Sequence, residues 1–100
     1  MDLYLNVTIE YLGYIKKKLG VERSEIIRLN KKASVYDLLI LLSKKYGDPF
    51  RKAVYDPEDL ELKPYHMISV NGLLLNQLNG LKTELNDNDQ VILMPIVSGG

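Results

Sequence analysis

The chain has 100 residues, enough to bury one core and too few for two. Lys plus Arg number 13 and Asp plus Glu number 13, and a formal net charge of zero argues against a nucleic-acid binder held by bulk electrostatics. Cysteine is absent, which excludes disulfides, thiolate metal sites and a nucleophilic thiol, and His66 would need carboxylates to complete any zinc site.

The opening segment alternates. Leu3, Leu5, Val7 and Ile9 share one parity and Tyr4, Asn6, Thr8 and Glu10 the other, which predicts a strand with one buried face. Gly13 ends it. Tyr14 to Leu19, with Lys16, Lys17 and Lys18 in succession, reads as a short solvated turn closed by Gly20. The lysines could touch phosphate, but the neutral whole favours a solvated connector. Ser24 to Leu29 is a second strand. Ser34 followed by Asp37 at the third position is a capping-box signal. Val35, Leu38, Leu39, Leu42 and Tyr46 then recur at helical spacing until Gly47 and Pro49 close the helix. Tyr36, Ile40 and Leu41 fall off that stripe and are assigned to packing under the next segment, in preference to a partner surface.

Asp48-Pro49 predicts a cap and first turn for a short second helix through Phe50, Ala53 and Val54. Residues 56–65, with Pro57, Pro64 and four acidic residues, have the composition of an exposed loop. His66 to Val70 is a strand that runs into Asn71-Gly72, a hairpin signal because both turn positions need positive φ. Leu73 to Leu75 returns. Asn79-Gly80 and Asn86-Asp87-Asn88-Asp89 mark two further turns before the last strand, Gln90 to Met94. Parallel pairing of the first and last strands, with the main helix as a right-handed crossover, makes an α+β fold. It is the ubiquitin-like β-grasp arrangement, a mixed sheet packed on one main helix over residues 1–94, with 95–100 as a flexible tail.

Within the globule, candidate chemistry is sparse. Asp87 and Asp89 could hold a cation, but in an Asn/Asp run their better reading is turn formation. His66 lies at a strand end with no serine, cysteine or paired carboxylate marked to work with it, so a structural role is preferred. The glycines at 13, 20, 47, 72 and 80 are isolated, so no phosphate-cradling loop is present. No run reaches the roughly 18 apolar residues of a membrane span, and Met1-Asp2-Leu3-Tyr4 lacks the basic start and apolar stretch of a secretion signal. The expected location is cytoplasmic, with no membrane partner.

The end of the chain is different. From Gln90 to Gly100 no side chain is charged, and the sequence finishes Pro95-Ile96-Val97-Ser98-Gly99-Gly100. Residues beyond Pro95 extend at most about 17 Å, enough to carry the terminus away from the globule. Gly99 and Gly100 present a thread without side chains, able to enter a narrow pocket. The functional group at the tip is the α-carboxylate of Gly100, which is inert to nucleophiles until activated, for example by adenylation.

Three stretches carry a family resemblance: Ile68-Ser69-Val70-Asn71-Gly72; Gly80 through Val91; and Pro95-Ile96-Val97-Ser98-Gly99-Gly100. They resemble the MoaD/ThiS family of ubiquitin-like sulfur carriers, and most closely the archaeal-type small subunit of molybdopterin synthase. The likeness covers essentially the whole chain, with its specificity in residues 66–100. The N-terminal strand, the Gly20-Val21-Glu22 turn and the Ser34-capped helix fit more loosely. Asn88 stands where the family usually has glycine, a position asparagine can fill. Residues 48–65 are longer than in the shortest members.

The resemblance implies a non-catalytic carrier subunit that binds no cofactor. Its Gly100 carboxylate would be adenylated by an ATP-dependent, ubiquitin-activating-type adenylyltransferase and converted to a thiocarboxylate. The tail, Pro95 to Gly99, would insert into the large subunit of molybdopterin synthase, where the sulfur reaches a pyranopterin precursor. Sulfur delivery to a thiamine precursor or to tRNA remains open, as does a role as a protein modifier joined through Gly100 to lysines. A plain β-grasp interaction domain is a further alternative. Strand parity adds one expectation: with Val91 and Leu93 facing the helix, Ile92 and Met94 face away. Together with Tyr4 they would form an apolar docking patch beside the root of the tail.

Overall fold

A computed structural model describes residues 3–58, 61–62 and 66–95. Strand β1 (Tyr4–Tyr11) pairs antiparallel with β2 (Ser24–Asn30), Val7 facing Ile27. The alternation of β1 holds: Leu5, Val7, Ile9 and Tyr11 are buried. Leu3 does not follow it, because it precedes the first ladder pair, Tyr4 with Asn30, and is 65% exposed.

The segment after β1 corrects the expected solvated turn. Residues Tyr14–Leu19 form a helix, α1, whose Ile15 is fully buried and whose Leu19 packs on the edge of the core. These two lie four positions apart, on one helical face, while Lys16, Lys17 and Lys18 stay exposed. Gly20, at φ 65°, closes α1 in the left-handed conformation. Helix α2 (Val35–Tyr46) starts as its sequence indicates: Asp37 N donates to Ser34 Oγ (3.2 Å) and Ser34 N donates to Asp37 Oδ2 (2.8 Å). Val35, Leu38, Leu39 and Leu42 bury the face that crosses the sheet.

Helix α3 (Asp48–Ala53) follows directly. Its N-cap is Gly47, at φ 71°, and not Asp48, which takes the first turn beside Pro49. From there Asp48 pairs with Arg51 (2.9 Å), whose other guanidinium nitrogen donates to the Ser43 carbonyl at the end of α2 (3.0 Å). Residues 56–65 do not form a simple exposed loop. Strand β3 (Tyr55–Asp56) pairs with β4 (Glu61–Leu62), and the buried Tyr55 ring meets Tyr36 edge-on at 6.3 Å. On the apolar flank of α2, Ile40 and Leu41 pack partly buried on the core while Tyr36 stays 37% exposed, and Phe50, Ala53, Val54 and Tyr55 make residues 50–55 an extension of that core.

Strand β5 (His66–Val70) turns through Asn71 and Gly72, at φ 52° and 87°, into β6 (Leu73–Leu74). That is the positive-φ pair the Asn-Gly sequence favours. Leu75, expected in the return strand, instead opens a 3-10 turn. Strand β7 (Gln90–Pro95) lies parallel to β1 and antiparallel to β5, giving the order β2-β1-β7-β5-β6. This is the expected β-grasp sheet, with first and last strands adjacent at its centre. Among the described residues no helix is long and apolar enough to cross a membrane.

Candidate functional site

Strand β7 is held on both sides, by β1 and by β5, and Pro95 is the last residue described. On one side Glu10 opposes Ile92 and Tyr11 opposes Leu93; on the other Met67 opposes Met94 and His66 opposes Pro95. Proline carries no N–H, yet Pro95 still lies within β7, opposite His66, rather than beyond the strand. Residues 96–100, which include the candidate tail positions Ile96, Val97, Ser98, Gly99 and Gly100, lie outside the described residues.

Val91 and Leu93 are fully buried against the helix layer, while Ile92 and Met94 are half-buried on the opposite face, as their parity requires. The register adds neighbours. Met67 lies across from Met94, and Leu74 pairs with Ser69, which in turn opposes Ile92. Met67 and Leu74 also line a shallow cavity of about 180 Å³ with Ile68, Leu75 and Asn76. An apolar strip therefore runs from Ile92 and Met94 across β5 to β6. Its rim beside Ile92 is polar: Glu10 accepts from Arg23 Nε at 3.1 Å and from Gln90 Nε2 at 3.5 Å.

Tyr4 does not belong to this strip. It shares the outward face, but β1 runs parallel to β7, and Tyr4 precedes Glu10, the partner of Ile92, by six positions. At about 3.3 Å per residue the separation is roughly 20 Å. Tyr4 sits instead under Arg28 of β2, the guanidinium carbon 4.5 Å from its ring centre. Met67 and Leu74 take its expected place. The parity of Met67 against Ile68 and Val70 marks its face in the sequence, but only the pairing of β5 with β7 brings it beside Met94.

Beneath the exit, on the inner face, Tyr11 anchors the end of β1. Its hydroxyl donates to Glu25 Oε2 at 2.7 Å, the Tyr46 hydroxyl donates to the same oxygen, and Lys45 reaches Oε1. The Tyr11 and Tyr46 rings meet edge-on at 6.3 Å. Burial pushes Glu25 upward, but hydrogen bonds from Lys45, Tyr46 and Tyr11 outweigh it and hold the carboxyl below the usual glutamate value. Burial, then hydrogen bonding to Glu25, raises both tyrosines.

The lowered Glu25 value stabilises the fold above the ordinary glutamate range, and that contribution is lost as pH falls through it. The raised tyrosine values act at the other end, contributing below about pH 10 and failing as pH climbs further. Glu25→Gln is expected to cost about 1–2 kcal/mol at neutral pH. It should also flatten the acid limb of urea-measured stability below about pH 4.5, near the free glutamate value. Parallel acid limbs for parent and variant would remove Glu25 from this role.

At the far end of β7 the Asn/Asp run is a turn. Asn88 adopts φ 70°, Asp87 Oδ1 accepts from Asn6 N (2.8 Å), and Asp89 Oδ2 accepts from Asn86 N (2.8 Å). Asp89 Oδ1 also takes Asn71 Nδ2 (2.8 Å), while Asn71 Oδ1 accepts from Gln90 N (2.9 Å). Both carboxylates are engaged by chain donors, which ties the β5–β6 hairpin to the start of β7. His66 opens β5 opposite Pro95, at the strand end expected for it.

Comparison with known proteins agrees with this architecture. This chain is similar to a protein of Archaeoglobus fulgidus named as a sulfur carrier, 37% identical over 70 residues that cover 70% of this chain and 77% of the relative. It is 28% identical over 96 residues to small archaeal modifier protein 3 of Haloferax volcanii, covering 96% of this chain and 100% of the relative. A solved Pyrococcus furiosus structure, named for subunit 1 of a molybdopterin converting factor, superposes with a TM-score of 0.72 at 27% identity, covering 93% of this chain and 99% of that one. The ThiS family profile matches residues 9–100. With its β-grasp sheet and that match over most of its length, the chain belongs to the ThiS family of ubiquitin-like sulfur carriers.

Proposed function

We propose that this chain carries sulfur on its own C-terminus and serves as the small subunit of a molybdopterin synthase. A carboxylate oxygen of Gly100 attacks the α-phosphate of ATP on an activating enzyme, releasing pyrophosphate and leaving an acyl-adenylate. A sulfide equivalent then displaces AMP to give the thiocarboxylate. In the large subunit that sulfur passes to a pyranopterin precursor, and water restores the carboxylate. The observation that supports this reading is that β7, paired on both sides and bearing Ile92 and Met94 on its outer face, is the element that the uncharged sequence Ile96 to Gly100 directly follows.

A second reading, conjugation of Gly100 to lysines of other proteins, is favoured by the likeness to a small archaeal modifier protein along 96% of the chain. Both begin with the same acyl-adenylate and separate afterwards. Intact mass measurement after incubation with the cognate activating enzyme, ATP and a sulfur donor should show one sulfur-for-oxygen exchange at the C-terminus. Failure to form an adenylate or thiocarboxylate with any cognate activating enzyme would refute the carrier reading. Conjugation would appear in tryptic digests of cellular protein as lysines bearing the 83–100 remnant, because no basic residue follows Lys82.

A further inference from the structure

We propose that the open edge of β2, with the groove between β2 and α2, docks an extended acidic segment of a partner protein. That segment adds to the five-stranded sheet as a further strand. Strand β1 separates this surface from β7, so the inference stands apart from the carrier reading and goes beyond it.

Strand β2 ends the sheet, and among the described residues no strand pairs with its outer edge. Tyr11 N donates to the Arg23 carbonyl (2.7 Å) and Lys31 N to the Leu3 carbonyl (3.0 Å), with an unbroken register between them. Odd-numbered residues of β2 therefore bond to β1, and the N–H and C=O groups of Ser24, Ile26 and Arg28 point to the open side. Edges are ordinarily blunted by shortness, proline, a bulge or charge. β2 has seven residues, no proline and no bulge, and Ile26 is 71% exposed. Its charges are engaged within the chain: Glu25 by Tyr11, Tyr46 and Lys45, and Arg28 over the Tyr4 ring.

Beside this edge, between β2 and α2, lies a groove of about 350 Å³. Leu29, Ala33 and the partly buried Leu41 supply its apolar lining. A strand added to β2 would place alternate side chains against that lining. Charge selects the occupant. Lys31 and Lys32 line the groove, are exposed and make no ion pair among the described residues. The carboxylate that lines it, Asp37, is already held by Ser34 N (2.8 Å) and Ser34 Oγ (3.1 Å). With Arg28 beside the lysines, the rim complements carboxylates next to apolar residues. Antiparallel addition is the more stable pairing, and it puts those carboxylates before the apolar residues, since the segment's N-terminal end then meets Lys31 and Lys32.

The test is an NMR titration of the isotope-labelled full chain with a synthetic peptide in which two aspartates precede alternating valine and glutamate. At up to about 1 mM peptide, shifts should concentrate on residues 26–33 and Leu41. Hydrogen exchange of the Ile26 and Arg28 amides should slow at least about tenfold, which strand addition produces and side-chain contact alone does not. Lys31→Glu combined with Lys32→Asn should weaken binding at least about tenfold, asparagine being suited to the φ of 71° at position 32. A peptide with lysines in place of its aspartates should bind that variant better than it binds the parent. No binding by about 1 mM, shifts centred on Ile92 and Met94, or unprotected Ile26 and Arg28 amides in the complex would each overturn the proposal. Parental affinity in the lysine variant would overturn it as well. Protection of the same amides that rises with protein concentration without peptide would assign the edge to a second copy of this chain, and the proposal would fall. No arm reads adenylate or thiocarboxylate formation, so failure here leaves the carrier reading standing.

Discussion

Deleting Gly100 is expected to reduce adenylate and thiocarboxylate formation by at least about a hundredfold while leaving the melting temperature unchanged. The truncated chain still ends in glycine, at Gly99, so neither the chemistry of the terminal group nor its slenderness changes. What changes is reach. The carboxylate retreats by about 3.5 Å along the chain, well beyond the roughly 1 Å error that already disables a positioned reaction. Appending one residue after Gly100 should do equal damage by placing the new carboxylate too far along and changing the residue that bears it. Stability should not respond, because among the described residues the last buried core side chain is Leu93, seven positions before Gly100. The assay is intact mass after activation, with thermal unfolding as the control. A truncated chain activated at the parental rate would show that the terminal residue is not the one being read.

The second large effect is expected at the docking strip. Under the proposed function, replacing both Ile92 and Met94 with lysine should weaken binding to the proposed partners, the large synthase subunit and the activating enzyme, by at least about a hundredfold. Removing two central apolar anchors, each worth about 1.4 kcal/mol or more, reaches that figure. Lysine is the informative choice because Glu10 lies directly across from Ile92 and would repel an introduced carboxylate. Both side chains are half-buried on the outer face, so the chain should stay folded. Tyr4→Lys is the matched control: Tyr4 lies roughly 20 Å away along β1 and should leave binding unchanged. Titration calorimetry with each partner reads all three variants. Unfolding of the double variant, or equal loss from Tyr4→Lys, would overturn the assignment of the strip.

Several features were legible because they are local. The Ser34–Asp37 capping box, the Asn71-Gly72 turn and the inward parity of Val91 and Leu93 each depend on residues within a few positions of one another. The left-handed Asn88 is of the same kind, a short polar side chain at a position that glycine would otherwise fill. The α1 helix was also encoded locally, in the four-residue spacing of Ile15 and Leu19, but three exposed lysines between them masked a buried stripe only two residues long. The β3–β4 pair gave no such signal. Its two-residue strands carry no periodicity, and Tyr55 is drawn inward by the flank of α2.

By itself, then, the amino-acid sequence determined the order of the main sheet strands and of α2, the buried faces of β1 and β7, and the uncharged ending at Gly100. Those properties follow from backbone period, turn conformation and side-chain chemistry, all of which act over a few residues. Only the tertiary structure decided what stands beside the end of β7 at Pro95. It put Met67 and Leu74 next to Ile92 and Met94, removed Tyr4 to the other end of the sheet, and set Gly13 under Pro95. Each of these juxtapositions joins segments far apart in the chain. Their register is selected by the packing of the whole core, because a slip of one residue would turn every buried side chain of a strand toward solvent.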